Sequence, residues 1–292
     1  MARAITMEDL KTDEKSWWCP GCGDFGVLAA LQKALLDQEM SPDDFAIVAG
    51  IGCSGKIGNY ITSYNLHVVH GRTLPSAMGL KLANRDLKVL AVGGDGDGFA
   101  IGMGHFMHAC RRNIDVTYIT MDNHIYGLTK GQNSPTSDLG AKAKTAPWGS
   151  IEMPIRPLQS ALAAGATWVG QGFSSYQPQL VSLMKRAMAH RGFSFLNVIS
   201  PCVTYNKVNT YAWYKQSLQN LEDDPAYAPS RERSEALALA SRTDEMVTGL
   251  LYETADQPAY EELIPGFRRT PIARQDLKLG AEEWEKLLAT YR

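Results

Sequence analysis

The chain has 292 residues, 45% of them hydrophobic and 9% aromatic, with a formal net charge of -2 and five cysteines. This balance argues against a nucleic-acid partner, which calls for a basic patch. No apolar run reaches the roughly 18 residues of a membrane span. The stretch Met1 to Lys15 is polar and lacks an apolar export core, so the chain reads as cytoplasmic. In a reducing compartment, five cysteines point to metal or redox chemistry rather than disulfides.

Read along the chain, Cys19-Pro20-Gly21-Cys22 forms a turn before a helix at about 24–37. Phe45 to Gly52 is an apolar strand, closed by the turn Gly52-Cys53-Ser54-Gly55. A helix at about 75–85 leads to a second strand, Lys88 to Gly93, and then to Gly94-Asp95-Gly96-Asp97-Gly98. A helix over 99–112 precedes a third strand, Val116 to Met121, with Asn123 just beyond it. Helices at about 157–164 and 177–190 flank a short strand, Thr167 to Gly170, and a last strand follows from Phe193 to Ser200. Short apolar strands between amphipathic helices predict an α/β fold with a parallel sheet covered on both faces. In such folds, ligands collect at the carboxyl ends of the strands, where both Cys53 and Asp95 fall.

After about residue 205 the pattern changes. Tyr211 to Arg233 is polar and aromatic, a helix is expected at 233–250, and a helical end at about 281–291. We read 1–210 as the cofactor-binding domain. Residues 211–292 read as a mostly helical C-terminal extension suited to packing on a neighbouring chain.

Cys19, Cys22, Cys53 and Cys202 lie in three glycine- and proline-punctuated turns. Four thiolates are the ligand count of either zinc or a [4Fe–4S] cluster, and the dispersed spacing suits a cluster built into a preformed fold. Cys110 instead sits on an apolar helix face and reads as core. The Gly94-Asp95-Gly96 turn lets the main chain approach a phosphate. A carboxylate there tolerates a diphosphate only with a cation between them, and Mg²⁺ takes such oxygen ligands. Asp95 supplies one ligand, Asn123, 28 residues on, a second, and the Ile125 carbonyl a third. Asp97 also fits the register, but Asp95 lies nearer the strand end, which leaves Asp97 to face solvent or the other half of the ligand.

The segments WWCPGCGDFG (17–26), GIGCSGK (50–56), HGRTLPSAMGLKLAN (70–84), GGDGDGFAIGMGHFMHACRRN (93–113) and MDNHIYGLTKGQNSPTS (121–137) resemble the beta subunits of the 2-oxoacid:ferredoxin oxidoreductases. The resemblance runs over about 15–210 and implies a thiamine diphosphate-binding fold. It assigns one [4Fe–4S] cluster to the four cysteines, and Mg²⁺ on the cofactor diphosphate to Asp95, Asn123 and Ile125. The cofactor edge would include Gly94, Gly96, Asp97, Ser54, Cys53 and Leu128. The implied reaction is CoA-dependent oxidative decarboxylation of a 2-oxoacid, possible in either direction, with electrons leaving through the cluster to ferredoxin. The family supplies the rest of the active site from a separate alpha subunit, so this chain is expected to be half of one, commonly within an (alpha-beta)2 assembly. Lys56 is a candidate anchor for a substrate carboxylate, and His70 a candidate cofactor or substrate contact. His105 and His108 read as packing or interface residues, and His124 as a weak candidate near the magnesium. The run from Tyr126 to Ser137 puts 2-oxoglutarate first among substrates, pyruvate second and branched-chain oxoacids third.

Two other classes stay open on the residues alone. One is an electron carrier with no use for thiamine, and the other a thiamine enzyme without redox chemistry and without iron.

Overall fold

The computed structural model describes residues 4–265, 270–276 and 278–291. The first three residues of the polar N-terminal stretch, and Arg292 at the end of the C-terminal extension, lie outside them. Among the described residues ten strands form: β1 (Phe45–Ala49), β2 (Tyr64–His67), β3 (Lys88–Gly94), β4 (Thr117–Asp122), β5 (Ile125–Tyr126), β6 (Gln132–Asn133), β7 (Trp168–Phe173), β8 (Ser194–Ile199), β9 (Gln219–Asn220) and β10 (Val247–Glu253). The helices are α1 (Asp24–Asp37), α2 (Thr73–Ala83), α3 (Met103–Arg112), α4 (Pro157–Ala163), α5 (Gln177–Ala189), α6 (Tyr211–Ser217), α7 (Arg233–Arg242) and α8 (Ala281–Ala289).

Eight strands make one sheet in the order β2-β1-β3-β4-β8-β7-β10-β9, while β5 and β6 form a separate small ribbon. All pairings in the large sheet are parallel except β10 with β7. The period-2 alternation of strand side chains divides the core into two layers. Ile47, Leu90, Val92, Ile119 and Leu196 pack toward Leu31, Leu35, Leu180 and Leu183 of α1 and α5. Val48, Val89, Ala91, Tyr118 and Phe195 face the opposite layer, with Leu74, Phe106, Ala161 and Ala236 of α2, α3, α4 and α7. Burial on both faces explains why these strands read as continuous apolar runs.

The chain leaves β1 for β2 on one side and returns with β3 on the other. This reversal makes a crevice at the carboxyl ends of β1 and β3, the usual ligand position in open α/β sheets.

Two expectations need correction, and one strand carried no signal. β2 gave no strand signal: all four of its residues are exposed at the sheet edge, so no apolar run marks it. The helix expected over 233–250 ends at Arg242, and the rest becomes the buried strand β10 inside the main sheet. Asp244 and Glu245 break the helix with φ of 51° and 60°, although neither is the glycine that usually marks such a break. The helix expected over 99–112 is preceded by a π-helical turn at Asp97–Ile101 and becomes regular only from Met103.

Glu245 also ties the two regions together. Its carboxylate accepts the Leu158 and Gln159 backbone N–H groups at 3.2 and 2.8 Å, capping α4. Burial pushes its carboxyl up to about 7. A raised carboxyl stabilises the fold below its unfolded value, and that contribution is lost as pH rises through about 7. Thermal unfolding of Glu245→Gln beside wild type should therefore show the wild-type advantage shrinking between pH 5.5 and 8.5, by about 2–4 °C per kcal/mol. A difference independent of pH would contradict the raised carboxyl.

Candidate active site

The carboxyl ends of β1, β3 and β4 frame a small cleft of about 80 Å³. Its walls bring together Cys53, Ser54, His70, Gly94, Asp95, Gly96, Asp97, Asn123, Ile125 and Leu128, the residues that the sequence assigned to one site. Lys56 is not among them. It lies in the 3-10 turn Ser54–Tyr60 behind Cys53, with Nζ 6.0 Å from the centre of the Trp17 ring.

The backbone builds the cleft by close approach. A Cβ on Gly96 would sit 2.1 Å from the Tyr126 ring, so only glycine fits between β3 and the β5 strand. Asn123 and Ile125 both reach the cleft because His124 between them takes φ of 59°, a kink that non-glycine residues rarely adopt. The Ile125 N–H donates to Asn123 Oδ1 at 3.0 Å and holds that kink.

Asp95 is 1% exposed, and Asp122, beneath it, is 2% exposed. Burial, and then the neighbouring Asp122, push the Asp95 carboxyl up to about 7. Two buried carboxylates this close call for a cation or a proton, and a divalent ion held by Asp95, Asn123 and the Ile125 carbonyl fits that need. Asp97 departs from expectation. It is 2% exposed, so it does not face solvent, and it stands in the cleft wall. Its Oδ1 accepts the Ile51 and Gly71 N–H groups at 3.1 and 2.8 Å, and its Oδ2 accepts the Thr73 hydroxyl at 2.9 Å. His70 Nδ1 lies 3.0 Å from Asp97 Oδ1 but is not aligned for a hydrogen bond. Asp97 thus fastens the loops after β1 and β2 around the cleft and stands beside His70 in its wall.

The cysteine turns meet on the adjoining side. Gly23 N–H donates to Pro201 O at 3.1 Å, and Trp18 Nε1–H to Cys53 O at 2.7 Å, so the three turns are cross-linked. The sulfurs of Cys53 and Cys202 both face Gly127, 3.8 and 3.6 Å from where a Cβ would stand. Burial raises the Cys53 thiol to about 11 and pushes Cys22 higher still. Asp24 adds to both, and neighbouring cysteines contribute. Among the described residues no three His, Cys, Asp or Glu side chains stand close enough for a single metal ion. The cysteines are nonetheless neighbours: the Cys53 and Cys202 sulfurs share the Gly127 face, and the Gly23–Pro201 and Trp18–Cys53 hydrogen bonds draw the Cys19–Cys22 turn to both. An iron–sulfur cage separates its cysteine ligands more widely than one ion does, because iron and sulfide fill the middle. The magnesium set has a single carboxylate and is completed by phosphate oxygens. The donor sets therefore fit both groups. Cys110 is fully buried on α3, as core.

The sequence reading missed Asp24, Ser200, Asp122 and Thr136. Asp24 is fully buried, and burial pushes its carboxyl up to about 6 despite the Ser200 hydroxyl donating to it at 2.6 Å. Only its place directly after the CPGCG turn could have pointed to it. His105 and His108 lie on α3, half-buried and exposed, and His108 Nδ1 contacts Arg111 at 3.3 Å. His124 is half-buried beside the cleft rather than in its wall.

A Gly-Asp-Gly turn and an asparagine at adjacent parallel-strand ends suit a diphosphate held through a divalent cation, and the comparisons give the class of enzyme. Residues 50–198 match the thiamine pyrophosphate enzyme, C-terminal TPP-binding domain. Residues 202–269 match the C-terminal region of the pyruvate ferredoxin oxidoreductase beta subunit. The beta subunit of 2-oxoacid:ferredoxin oxidoreductase 1 of Aeropyrum pernix is 38% identical, over 96% of this chain and 95% of its own. The 2-oxoglutarate synthase subunit KorB of Methanocaldococcus jannaschii is 45% identical over 64% of this chain and 70% of its own. A solved 2-oxoglutarate:ferredoxin oxidoreductase from Magnetococcus marinus, with 2-oxoglutarate, coenzyme A and succinyl-CoA bound, superposes with a TM-score of 0.84. That match has 41% identity and covers 88% of this chain and 87% of the other. The chain belongs to the family of 2-oxoacid:ferredoxin oxidoreductase beta subunits and is an oxidoreductase. Among the described residues, no helix is long and apolar enough to cross a membrane.

Proposed function

We propose that this chain is the thiamine diphosphate- and [4Fe–4S]-binding subunit of a CoA-dependent 2-oxoglutarate:ferredoxin oxidoreductase. It works in the cytoplasm with an alpha subunit, as (alpha-beta)2, and delivers electrons to ferredoxin. One observation carries the reading: Cys53 and Gly127 line the cleft that holds Asp95 and Asn123, while a Cβ on Gly127 would stand 3.6 Å from the Cys202 sulfur. The electron acceptor and the diphosphate site thus share a wall. Bound thiamine diphosphate supplies the electron sink for decarboxylation, and the cluster takes electrons singly.

The residues of the chain have separate tasks. Asp95, Asn123 and the Ile125 carbonyl hold Mg²⁺ on the diphosphate. Gly94 and Gly96 let the main chain approach it, and Ser54 is packed against Gly94 at the same edge. Leu128, 49% exposed, offers an apolar surface where substrate and cofactor meet. Cys19, Cys22, Cys53 and Cys202 hold the cluster. His70, beside Asp97, borders the cofactor, and Lys56 draws in the distal carboxylate of the substrate. No carboxylate among the described residues forms an ion pair with Lys56. The 2-oxoglutarate, coenzyme A and succinyl-CoA in the Magnetococcus marinus structure favour a dicarboxylic oxoacid over pyruvate.

The test of this reading is Lys56→Ala in the assembled enzyme, assayed by CoA-dependent dye reduction with each oxoacid. The KM for 2-oxoglutarate should rise about 10–100-fold, the range of a lost charge-assisted hydrogen bond. Pyruvate turnover should change far less. Equal losses on both substrates would remove the anchor role, and pyruvate preferred by wild type would remove the substrate assignment.

A further inference from the structure

Below the diphosphate cleft lies a hydroxyl with more acceptors than it can serve. Thr136 is 1% exposed, and its Oγ1 stands 2.7 Å from Asp95 Oδ2 and 2.9 Å from Asp122 Oδ1. A threonine hydroxyl has one hydrogen, so it donates to only one carboxylate at a time and presents a lone pair to the other. The turn carrying Thr136 is rigidly held. Ser134 N–H donates to Ser137 Oγ at 2.8 Å, Ser137 N–H to Ser134 O at 3.1 Å, and Ser137 Oγ to His124 O at 2.6 Å. Ile155 N–H donates to Pro135 O at 2.8 Å and pins the turn from its other side. Asp122 is fixed too, accepting the His124 N–H at 3.3 Å and the Asn197 amide at 3.4 Å.

We infer that Thr136 is a positioning residue for the magnesium site: its hydroxyl bridges Asp95 to Asp122 and holds Asp95 in the orientation that meets the cation. The inference rests on the reading of Asp95 as a magnesium ligand. A divalent cation on Asp95 balances its charge and frees the single hydroxyl hydrogen for Asp122, so both carboxylates are satisfied at once. Without the cation one of them faces a lone pair unless it takes up a proton. The metal and the hydroxyl therefore support one another through Asp95, as partners beyond the ligands commonly do in metal sites.

The experiment uses the assembled alpha–beta enzyme, stripped of cofactor. Thiamine diphosphate retention is measured by equilibrium dialysis against increasing Mg²⁺ for wild type, Thr136→Val and Thr136→Ser. Valine keeps the shape and removes the hydroxyl, so the Mg²⁺ concentration for half-maximal retention should rise about 10–100-fold. Serine restores the hydroxyl and should stay within about twofold of wild type, a rescue that a merely structural role would not produce. If valine disturbs the turn, as far-UV circular dichroism and the melting temperature would reveal, Thr136→Ala makes the same subtraction without the added bulk. A folded valine or alanine variant with the wild-type Mg²⁺ midpoint overturns the inference, as does a serine variant as impaired as valine. Wild-type retention that ignores Mg²⁺ would overturn the magnesium reading itself, and is distinguishable because it appears before any variant is compared.

Discussion

Asp95→Asn should bind thiamine diphosphate at least about 100-fold more weakly than wild type and lose nearly all oxoacid oxidation, because a neutral amide no longer holds Mg²⁺ against the diphosphate. The same substitution should raise the melting temperature of the cofactor-free protein. Asp95 is buried beside Asp122, and burial together with that neighbour disfavours its charged form. An amide of the same shape removes the repulsion, and Thr136 can still donate to its oxygen. Loss of cofactor with gain of apo stability is the signature of a residue kept for binding rather than folding. Calorimetric titration and a thermal scan of the one variant check both signs. A variant that binds normally refutes the ligand assignment. One that loses binding and stability together points to a structural carboxylate.

Cys202→Ala separates the second site from the first. Cys202 lies at the Pro201 turn after β8 and is absent from the cleft wall, whereas Cys53 belongs to both. Its removal should take the iron content from about four per chain to near zero. Reduction of ferredoxin should fall below detection while thiamine diphosphate still binds. Cys110→Ala is the matched control: its thiol is fully buried in the α3 core. It should cost about 1–2 kcal/mol in stability and leave iron unchanged. Iron retained in Cys202→Ala, or lost in Cys110→Ala, would assign the cluster to other residues.

The residues that announce themselves in the sequence are those whose local chemistry is unusual. Cys19 and Cys22 stand out through the glycine and proline around them. Asp95 and Asn123 stand out because each directly follows an apolar strand buried on both faces. β1, β3, β4 and β8 were legible for the same reason. β2 was not, since an exposed edge strand carries no apolar run. β10 was concealed because Leu250 and Leu251 suit a helix as well as a strand. The break before it rests on left-handed Asp244 and Glu245, not on glycine or proline. The supporting network was hidden by distance along the chain. Thr136 meets Asp95 across 41 residues, and Ser200 meets Asp24 across 176. The function of Asp97 was hidden differently: the GDGDG run offers two equivalent aspartates, and only the fold shows one spent on the Ile51, Gly71 and Thr73 donors.

The central claim is that one chain carries a thiamine diphosphate site and an iron–sulfur site that share a wall. The most direct measurement is the iron, sulfide and thiamine diphosphate content of the complex purified without oxygen. About four irons, four sulfides and one thiamine diphosphate per chain are expected. Iron without thiamine would make the chain an electron carrier, thiamine without iron a non-redox enzyme, and either result would contradict the claim.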